Sequence, residues 1–248
     1  MEVVLKGLKT TLVGRSIHYH GTLPSTMDLA RKLAAEGVQE GTVVLCDEQT
    51  QGRGRQERKW FAPASSSILM SVIFRPSIQQ LPQLNMLGSL SVVHTIEKVS
   101  GIESSIKWPN DVLIDGRKVA GILMENVLQG ESLQAAILGV GLNLSLDVSS
   151  CPEIASIATS LSAQSGRDFN REDVLRTLLQ EMDILYQAVK RGEDVYHQWL
   201  FHVETLGKSV RVKSGRSEEE GLAESINADG SITLRRADGS LVTIATGE

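Results

Sequence analysis

The 248-residue sequence predicts an α+β fold followed by a small, separate β unit. Two observations carry this. Helical and strand-like patterns are mixed through to about residue 201. From about residue 205 the texture becomes short strands punctuated by Gly207, Gly215, Gly221, Asp229-Gly230 and Asp238-Gly239, which reads as a small β-barrel.

The elements follow in chain order. Residues 16–23 predict a strand that leads into Ser25-Thr26-Met27-Asp28, where Ser25 is placed to cap a helix and Asp28 to complete a capping box. Leu29, Leu33 and Ala34 fall at helical spacing, and Gly37 is a plausible left-handed terminator. A strand at residues 42–46 comes next, so the arginine-rich loop after it hangs from a strand end. Residues 67–75 predict another strand. Leu84, Leu87, Leu90, Val93 and Ile96 form an apolar stripe along a helix at residues 81–99. Strands dominate residues 106–146, with Asp115-Gly116 as a two-residue hairpin turn. Simple alternation there puts Lys118 and Ala120 on one face and Val119 and Gly121 on the other. Residues 153–201 read as mostly helical, with Asn170 capping a helix whose first turn is acidic. The expected division is residues 1–202 and 203–248.

Composition narrows the function classes. No apolar run approaches the roughly 20 residues that cross a bilayer, and the first dozen residues lack a secretory pattern, so a cytoplasmic protein is expected. The net charge of -5 and pI near 5.6 argue against general nucleic-acid binding. Cys46 and Cys151 have no metal-ligand spacing, and the histidines form no cluster, so no zinc site is expected.

Against this acidic background stands Gln49-Thr50-Gln51-Gly52-Arg53-Gly54-Arg55-Gln56-Glu57-Arg58-Lys59-Trp60. Glycine lets backbone N–H groups approach an anion, and arginine grips carboxylate or phosphate oxygens in pairs. Alone, such a loop is also a solvated basic turn. A second cluster follows in Lys107-Trp108-Pro109-Asn110-Asp111 and Lys118-Val119-Ala120-Gly121-Ile122-Leu123, where Lys118 points to solvent or into a site.

These motifs, with Ser25-Thr26-Met27 before them and Gly139-Val140-Gly141-Leu142-Asn143 after, resemble in order and spacing those of biotin protein ligases. The resemblance covers nearly the whole chain. Glu57 departs from it, since the family usually has glycine before the last arginine of the loop. It implies a mixed-sheet catalytic domain of the biotin/lipoate ligase type and an SH3-like C-terminal domain. Only 24 residues precede Ser25, too few for the DNA-binding helix-turn-helix of some members, so no DNA binding is expected.

The implied reaction activates biotin with ATP and Mg²⁺ as biotinyl-5′-AMP, then transfers biotin to a lysine of a carrier domain in a biotin-dependent carboxylase. Lys118, Arg53, Arg55 and Asp111 are the implied catalytic residues. Ser25, Thr26, Met27, Gln49, Gly52, Arg53, Gly54, Arg55, Lys118, Gly121 and Gly139 are implied at biotin. Arg55, Arg58, Trp60, Lys107, Asn110, Asp111, Lys118 and Asn143 are implied at ATP. Asp111 has two roles open, Mg²⁺ binding and deprotonation of the acceptor lysine. Trp108 reads as core rather than as a base-stacking residue. Homodimers are common in the family, though no segment here singles out an interface. A lipoate or octanoate ligase or transferase is the nearest alternative, but the glycine-rich Arg-Arg-x-Ser-Gly-Gly-Gly pattern of those enzymes is absent. A non-catalytic biotin sensor is the alternative from another class, and the intact Lys118 and arginine loop speak against it.

Overall fold

The computed structural model describes residues 7–215 and 217–247, with the side chains of Glu57 and Ser150 outside the described set. The effect of the Glu57 side chain on its loop, and residues 1–6, therefore lie outside the described residues.

Seven strands form the main sheet: β1 (Ile17–Leu23), β2 (Val43–Gln49), β3 (Ser67–Phe74), β4 (Ser105–Lys107), β5 (Asp111–Ile114), β6 (Arg117–Gln129) and β7 (Ser132–Asn143). Their order is β1-β2-β3-β7-β6-β5-β4. Only β1 and β2 run parallel, because the helix α1 (Thr26–Ala35) crosses between them; the other neighbours are antiparallel.

Period-two alternation assigns the two faces. On β7, Ala136, Leu138, Val140 and Leu142 join the main core with α2 (Leu81–Ser100) and α4 (Arg171–Lys190), while Ala135 and Ile137 face the other way and pack beneath α1. The predicted stripe of α2 is buried in full: Leu84, Leu87, Leu90 and Ile96 are wholly inaccessible and Val93 nearly so. Asn170 caps α4, accepting from the backbone N–H groups of Glu172 and Asp173 at 2.9 and 3.1 Å. Residues 153–160, expected within the helical stretch, instead form a loop of successive turns before the short α3 (Leu161–Ser165). A further short helix, α5 (Tyr196–Phe201), completes that layer.

The C-terminal unit is a four-stranded antiparallel sheet in the order β11-β10-β9-β8, from β8 (Ser209–Ser214), β9 (Ser217–Ile226), β10 (Ile232–Arg235) and β11 (Leu241–Ile244). It stands where the small barrel was expected, with β8 and β11 as its edges. Chain preceding it extends the main sheet: Ile106 N–H donates to the His202 carbonyl at 2.7 Å, and Glu204 N–H to the Ile106 carbonyl at 3.0 Å. Trp108 is the pin between the units. It is 4% exposed, and its backbone N–H bonds the Thr205 hydroxyl at 2.9 Å while its indole N–H bonds the Gly230 carbonyl at 2.8 Å. Trp108 is thus core, as its sequence context suggested.

Candidate functional site

Continuing along the α1-facing side of β7, the residues after Ala135 and Ile137 are Gly139, Gly141 and Asn143. The two glycines remove side chains where α1 stops covering the sheet, and this opens a cavity of about 560 Å³. The space is already contested: a Cβ on Gly141 would meet the Trp60 indole at 2.6 Å, and one on Gly139 would meet Met27 Sδ at 2.7 Å. Only glycine permits these approaches.

Lys118 reaches this face because the strand is irregular. Leu113 pairs with Lys118 and Val112 with Ala120, which leaves Val119 as an extra residue in a β-bulge. The simple alternation expected for residues 118–121 is therefore broken: Val119 and Ala120 are both buried in the main core, and Lys118 lies beside the bare Cα of Gly121, its Nζ 3.2 Å from where a Cβ would stand. Lys118 is clamped by its backbone, donating to the Ile157 carbonyl and accepting from Thr159 N–H, both at 2.8 Å. Its Nζ pairs with Asp111 at 2.6 Å and stands 5.4 Å from the centre of a Trp60 ring. Asp111 sits opposite Gly121 on the neighbouring strand.

The arginine loop is a tight hairpin. Gly54 N–H bonds the Arg58 carbonyl at 2.7 Å and Trp60 N–H bonds the Gly52 carbonyl at 2.9 Å, around a 3-10 turn at Arg55–Glu57 in which Gln56 takes a left-handed conformation. Trp60 closes it, and its buried indole N–H has no acceptor among the described residues. Arg53 is engaged on the protein: it donates to Asp28 at 2.7 Å and to Glu125 at 3.4 Å. The hydrogen bond from Arg53 holds the Asp28 carboxyl below its usual range, and the same bond raises the arginine.

This overturns the expected capping box. Asp28 faces Arg53 rather than the helix end, and Ser25 occupies the N-cap position with no side-chain cap bond. Gln49 caps instead, its Oε1 accepting from Thr26 N–H at 2.7 Å and Thr26 Oγ1 at 3.1 Å, with Ser71 Oγ donating to Thr26 Oγ1 at 2.8 Å. Gln49 Nε2 lies against Gly52, 3.2 Å from where a Cβ on that glycine would stand.

Of the residues expected at the site, Thr26, Met27, Gln49, Arg53, Gly54, Arg55, Arg58, Trp60, Lys107, Asn110, Asp111, Lys118, Gly121, Gly139 and Asn143 all line the cavity. Ser25 and Gly52 do not; they are buried behind it. Two of the lining amides also hold the walls together. Asn110 donates to the Ile122 carbonyl, and Asn143 to the Thr159 carbonyl at 3.0 Å. Asp111 is the one carboxylate on the lining among the described residues, which also carries Arg53, Arg55, Arg58, Lys59, Lys107, Lys118, Arg211 and Lys213; Arg53, Arg211 and Lys213 pair with acids outside the lining. An acidic chain has thus concentrated its cations around one cavity, the arrangement that draws in a polyanion.

Comparison with known proteins gives the family. The model of the biotin/lipoate A/B protein ligase family matches residues 20–143. The chain is 35% identical over 238 residues to the bifunctional ligase/repressor BirA of Bacillus subtilis, a match spanning 94% of this chain and 73% of that protein. The chain belongs to the biotin protein ligase family. The biotin–[acetyl-CoA-carboxylase] ligase of Paracoccus denitrificans is 32% identical over 233 residues, covering 88% of this chain and 93% of that ligase. Among solved structures, biotin protein ligase from Aquifex aeolicus in complex with biotin and ATP superposes with a TM-score of 0.79 at 26% identity, over 94% of this chain and 97% of that one.

Arg211 and Lys213 are the charged lining residues that this family's motifs did not flag. They come from β8 of the C-terminal unit, and their signal was available as period two: Arg211 and Lys213 share a face, with Val212, buried in the core, between them. Gly141 was likewise visible inside a quoted motif, yet its contact with Trp60 depends on the fold.

Proposed function

We propose that this cavity joins biotin to AMP and then to a lysine of a biotin carboxyl carrier domain, acting in the cytoplasm where its ATP is found. The single observation that carries the reading is Lys118 held by both backbone groups at a glycine-floored cavity in a biotin ligase fold, with one carboxylate beside it.

In the first half-reaction a biotin carboxylate oxygen attacks the α-phosphorus of ATP and pyrophosphate departs. Both reactants are anions, so fixed positive charge must offset their repulsion. Lys118 turns from Asp111 to the carboxylate and α-phosphate oxygens, and Arg53 and Arg55 flank the same junction. Arg58, Lys107 and the unpartnered indole N–H of Trp60 face the nucleotide, with Asn110 and Asn143 bracing its side of the wall. Thr26, Met27 and Gln49 form the biotin end, where the Gln49 amide N–H supplies a donor for the ureido oxygen above Gly139; Ser25 and Gly52 support that end from behind. In the second half-reaction the acceptor amine attacks the acyl carbon, the bond to AMP breaks with its electron pair on the phosphate, and the amine loses a proton.

The donor set fits Mg²⁺ arriving with the triphosphate, since magnesium is commonly held by one or two carboxylates plus phosphates and waters. Asp111 would hold it there, and the ion would offset triphosphate charge. When Lys118 leaves Asp111, that carboxylate is also uncovered to accept the proton of the acceptor lysine. The division into residues 1–202, carrying catalysis, and 203–248, completing the rim with Arg211 and Lys213, belongs to the same reading, as do homodimers and the lack of DNA binding.

The test is biotin-dependent exchange of pyrophosphate into ATP by the purified chain with Mg²⁺, with lipoate and octanoate run in parallel. Exchange with biotin alone is expected. Exchange driven by lipoate or octanoate would transfer the assignment to the other branch of the family, and none with any acid would leave a sensor.

A further inference from the structure

Lys118 is the wall-borne cation of the proposed first step, yet the wall that carries it stops just short of it. The β6–β7 ladder ends with Ala120 opposite Leu142, and β7 itself ends at Asn143. The loop before α3 takes the place of β7, bridging in parallel to β6 between Ala158 and Lys118. Both backbone groups of Lys118 bond this loop, and the Asn143 amide at the end of β7 donates to the Thr159 carbonyl at 3.0 Å. The loop is a series of turns: Ile154 N–H bonds the Cys151 carbonyl at 3.1 Å, and Ile157 N–H bonds the Ile154 carbonyl at 3.0 Å. Lys118 is therefore held only as firmly as that loop is.

Thr159 and Gln164 tie the loop to the turn that precedes Lys118. Thr159 is 1% exposed, and its hydroxyl lies against the side chain of Gln164 on α3. In the amide orientation that meets every neighbour, Gln164 Oε1 accepts from Thr159 Oγ1 at 2.9 Å and from Arg117 Nη2 at 2.5 Å, while Gln164 Nε2 donates to Asp115 Oδ2 at 3.0 Å. Asp115 and Arg117 flank Gly116 in the β5–β6 turn, immediately before Lys118. These contacts close a ring. It runs from the Lys118 backbone to that of Thr159, through the Thr159 hydroxyl and the Gln164 amide to the turn, and back along the chain to Lys118. An amide suits position 164 because it accepts from two donors and donates to a carboxylate at once. Gln164 and Thr159 both lie off the cavity lining.

We propose that Gln164 and Thr159 are positioning residues for adenylation: they touch neither substrate, and they act through the loop backbone that sets where Lys118 Nζ stands. This rests on the biotin ligase reading above. Attack of a carboxylate on phosphorus depends on donors already placed where charge develops, and a misplacement of about 1 Å can cost on the order of a hundredfold in rate. A backbone gripped at both its N–H and its carbonyl keeps the root of the Lys118 side chain still while Nζ turns from Asp111 to the substrates. Opening the ring should therefore leave biotin bound at Thr26, Met27 and Gln49 and slow the chemistry.

The test is made in the full chain. Gln164→Ala opens the ring, Thr159→Val removes the hydroxyl while keeping the shape of the buried side chain, and Thr159→Ser puts a hydroxyl back. Single-turnover formation of biotinyl-AMP should slow about tenfold in Gln164→Ala and Thr159→Val, with the KM for biotin within about twofold of the parent, and Thr159→Ser should recover most of the rate. Combining Thr159→Val with Gln164→Ala should cost little more than either alone, because both break one ring. In the free protein, exchange of the Lys118 amide hydrogen should quicken in the slow variants while amides within the β6–β7 ladder stay protected. Parent-like rates in both variants, unchanged exchange at Lys118, or losses that add in the double variant would overturn the inference while leaving the ligase reading intact. A raised KM for biotin at an unchanged rate would also overturn it, by assigning the pair to binding. If Gln164→Ala does not fold, Thr159→Val against Thr159→Ser decides alone. A parent chain that makes no biotinyl-AMP would instead defeat the ligase reading, and the inference with it.

Discussion

The β6–β7 wall and the arginine hairpin face each other across one cavity and are held by different forces. The wall is a ladder of backbone hydrogen bonds with a packed core behind it: Gly121 pairs with Gly141 in register, and Ala120, Ile122, Val140 and Leu142 are anchored beneath. The hairpin has a short ladder of its own and leans on ion pairs, with Arg53 tied to Asp28 and Glu125, and Arg31 joining the same two acids. Interior packing specifies position to a fraction of an ångström, whereas half-exposed ion pairs exchange readily with water and ligands. The contrast suits a site in which chemistry is positioned by the wall and closure is supplied by the hairpin.

The comparison breaks first at Lys118. Lys118→Ala removes the one wall-borne cation at the reacting centre, and adenylation should fall by roughly 2 to 4 kcal/mol, the effect of losing one preorganised donor. Single-turnover formation of biotinyl-AMP reads this directly, and a near-normal rate would show that the hairpin arginines suffice. Next is Gly141→Val. A Cβ there stands 2.6 Å from the Trp60 indole, so Trp60 must leave its bed while the ladder behind it stays paired. The KM for ATP should rise about tenfold, the equivalent of about 1.4 kcal/mol, with the far-ultraviolet spectrum unchanged. Loss of folding instead would mean that the wall cannot tolerate the added bulk.

What could be read from sequence divides along the same line. Strand limits, the apolar stripe of α2 and the Asp115-Gly116 turn were legible because each depends on residues close in sequence; Asp115 and Gly116 both take positive φ, as a type I′ turn requires. The four cations of the hairpin were legible because they fall in one loop of an acidic chain. The bulge at Val119 was not, since it arises from the pairing of β5 with β6. Nor was the capping of α1 by Gln49, which reaches across 23 positions. The buried Asp183 carboxylate was hidden for the same reason: it accepts from the backbone N–H groups of Thr11, Leu12 and Val13 at 2.8 to 2.9 Å, fixing the N-terminal segment to α4 from 170 to 172 residues away. Arg53 was legible as a cation, but not as one already bound by Asp28 and Glu125.

The hairpin's part in closure is sharpened by Arg55→Ala. If Arg55 seals the adenylate, the variant should still form biotinyl-AMP but release it on the order of tenfold faster, about 1.4 kcal/mol of lost retention. A chase of labelled adenylate measures the rate, and a parent-like half-life would remove shielding from the hairpin's role.

The smallest effect separates binding from holding. Asp28→Asn weakens the grip on Arg53 without touching the wall, leaving Glu125 as its remaining carboxylate partner. Because Arg53 lowers the Asp28 pKa, the pair stabilises the fold above the unfolded carboxylate range, near pH 4, and that contribution is lost as pH falls through the lower folded value. Asp28 is about half exposed, so solvent screening limits the contribution to about 0.5 kcal/mol or less. Urea unfolding of parent and variant should therefore differ slightly at pH 7 and converge at the acid end. If Arg53 must leave Asp28 to reach the biotin–phosphate junction, the same variant should bind biotin with ATP as well as the parent or slightly better. Weaker binding would mean that Asp28 orients Arg53 for the ligand, and the ion-pair network would then belong to the preorganised half of the site.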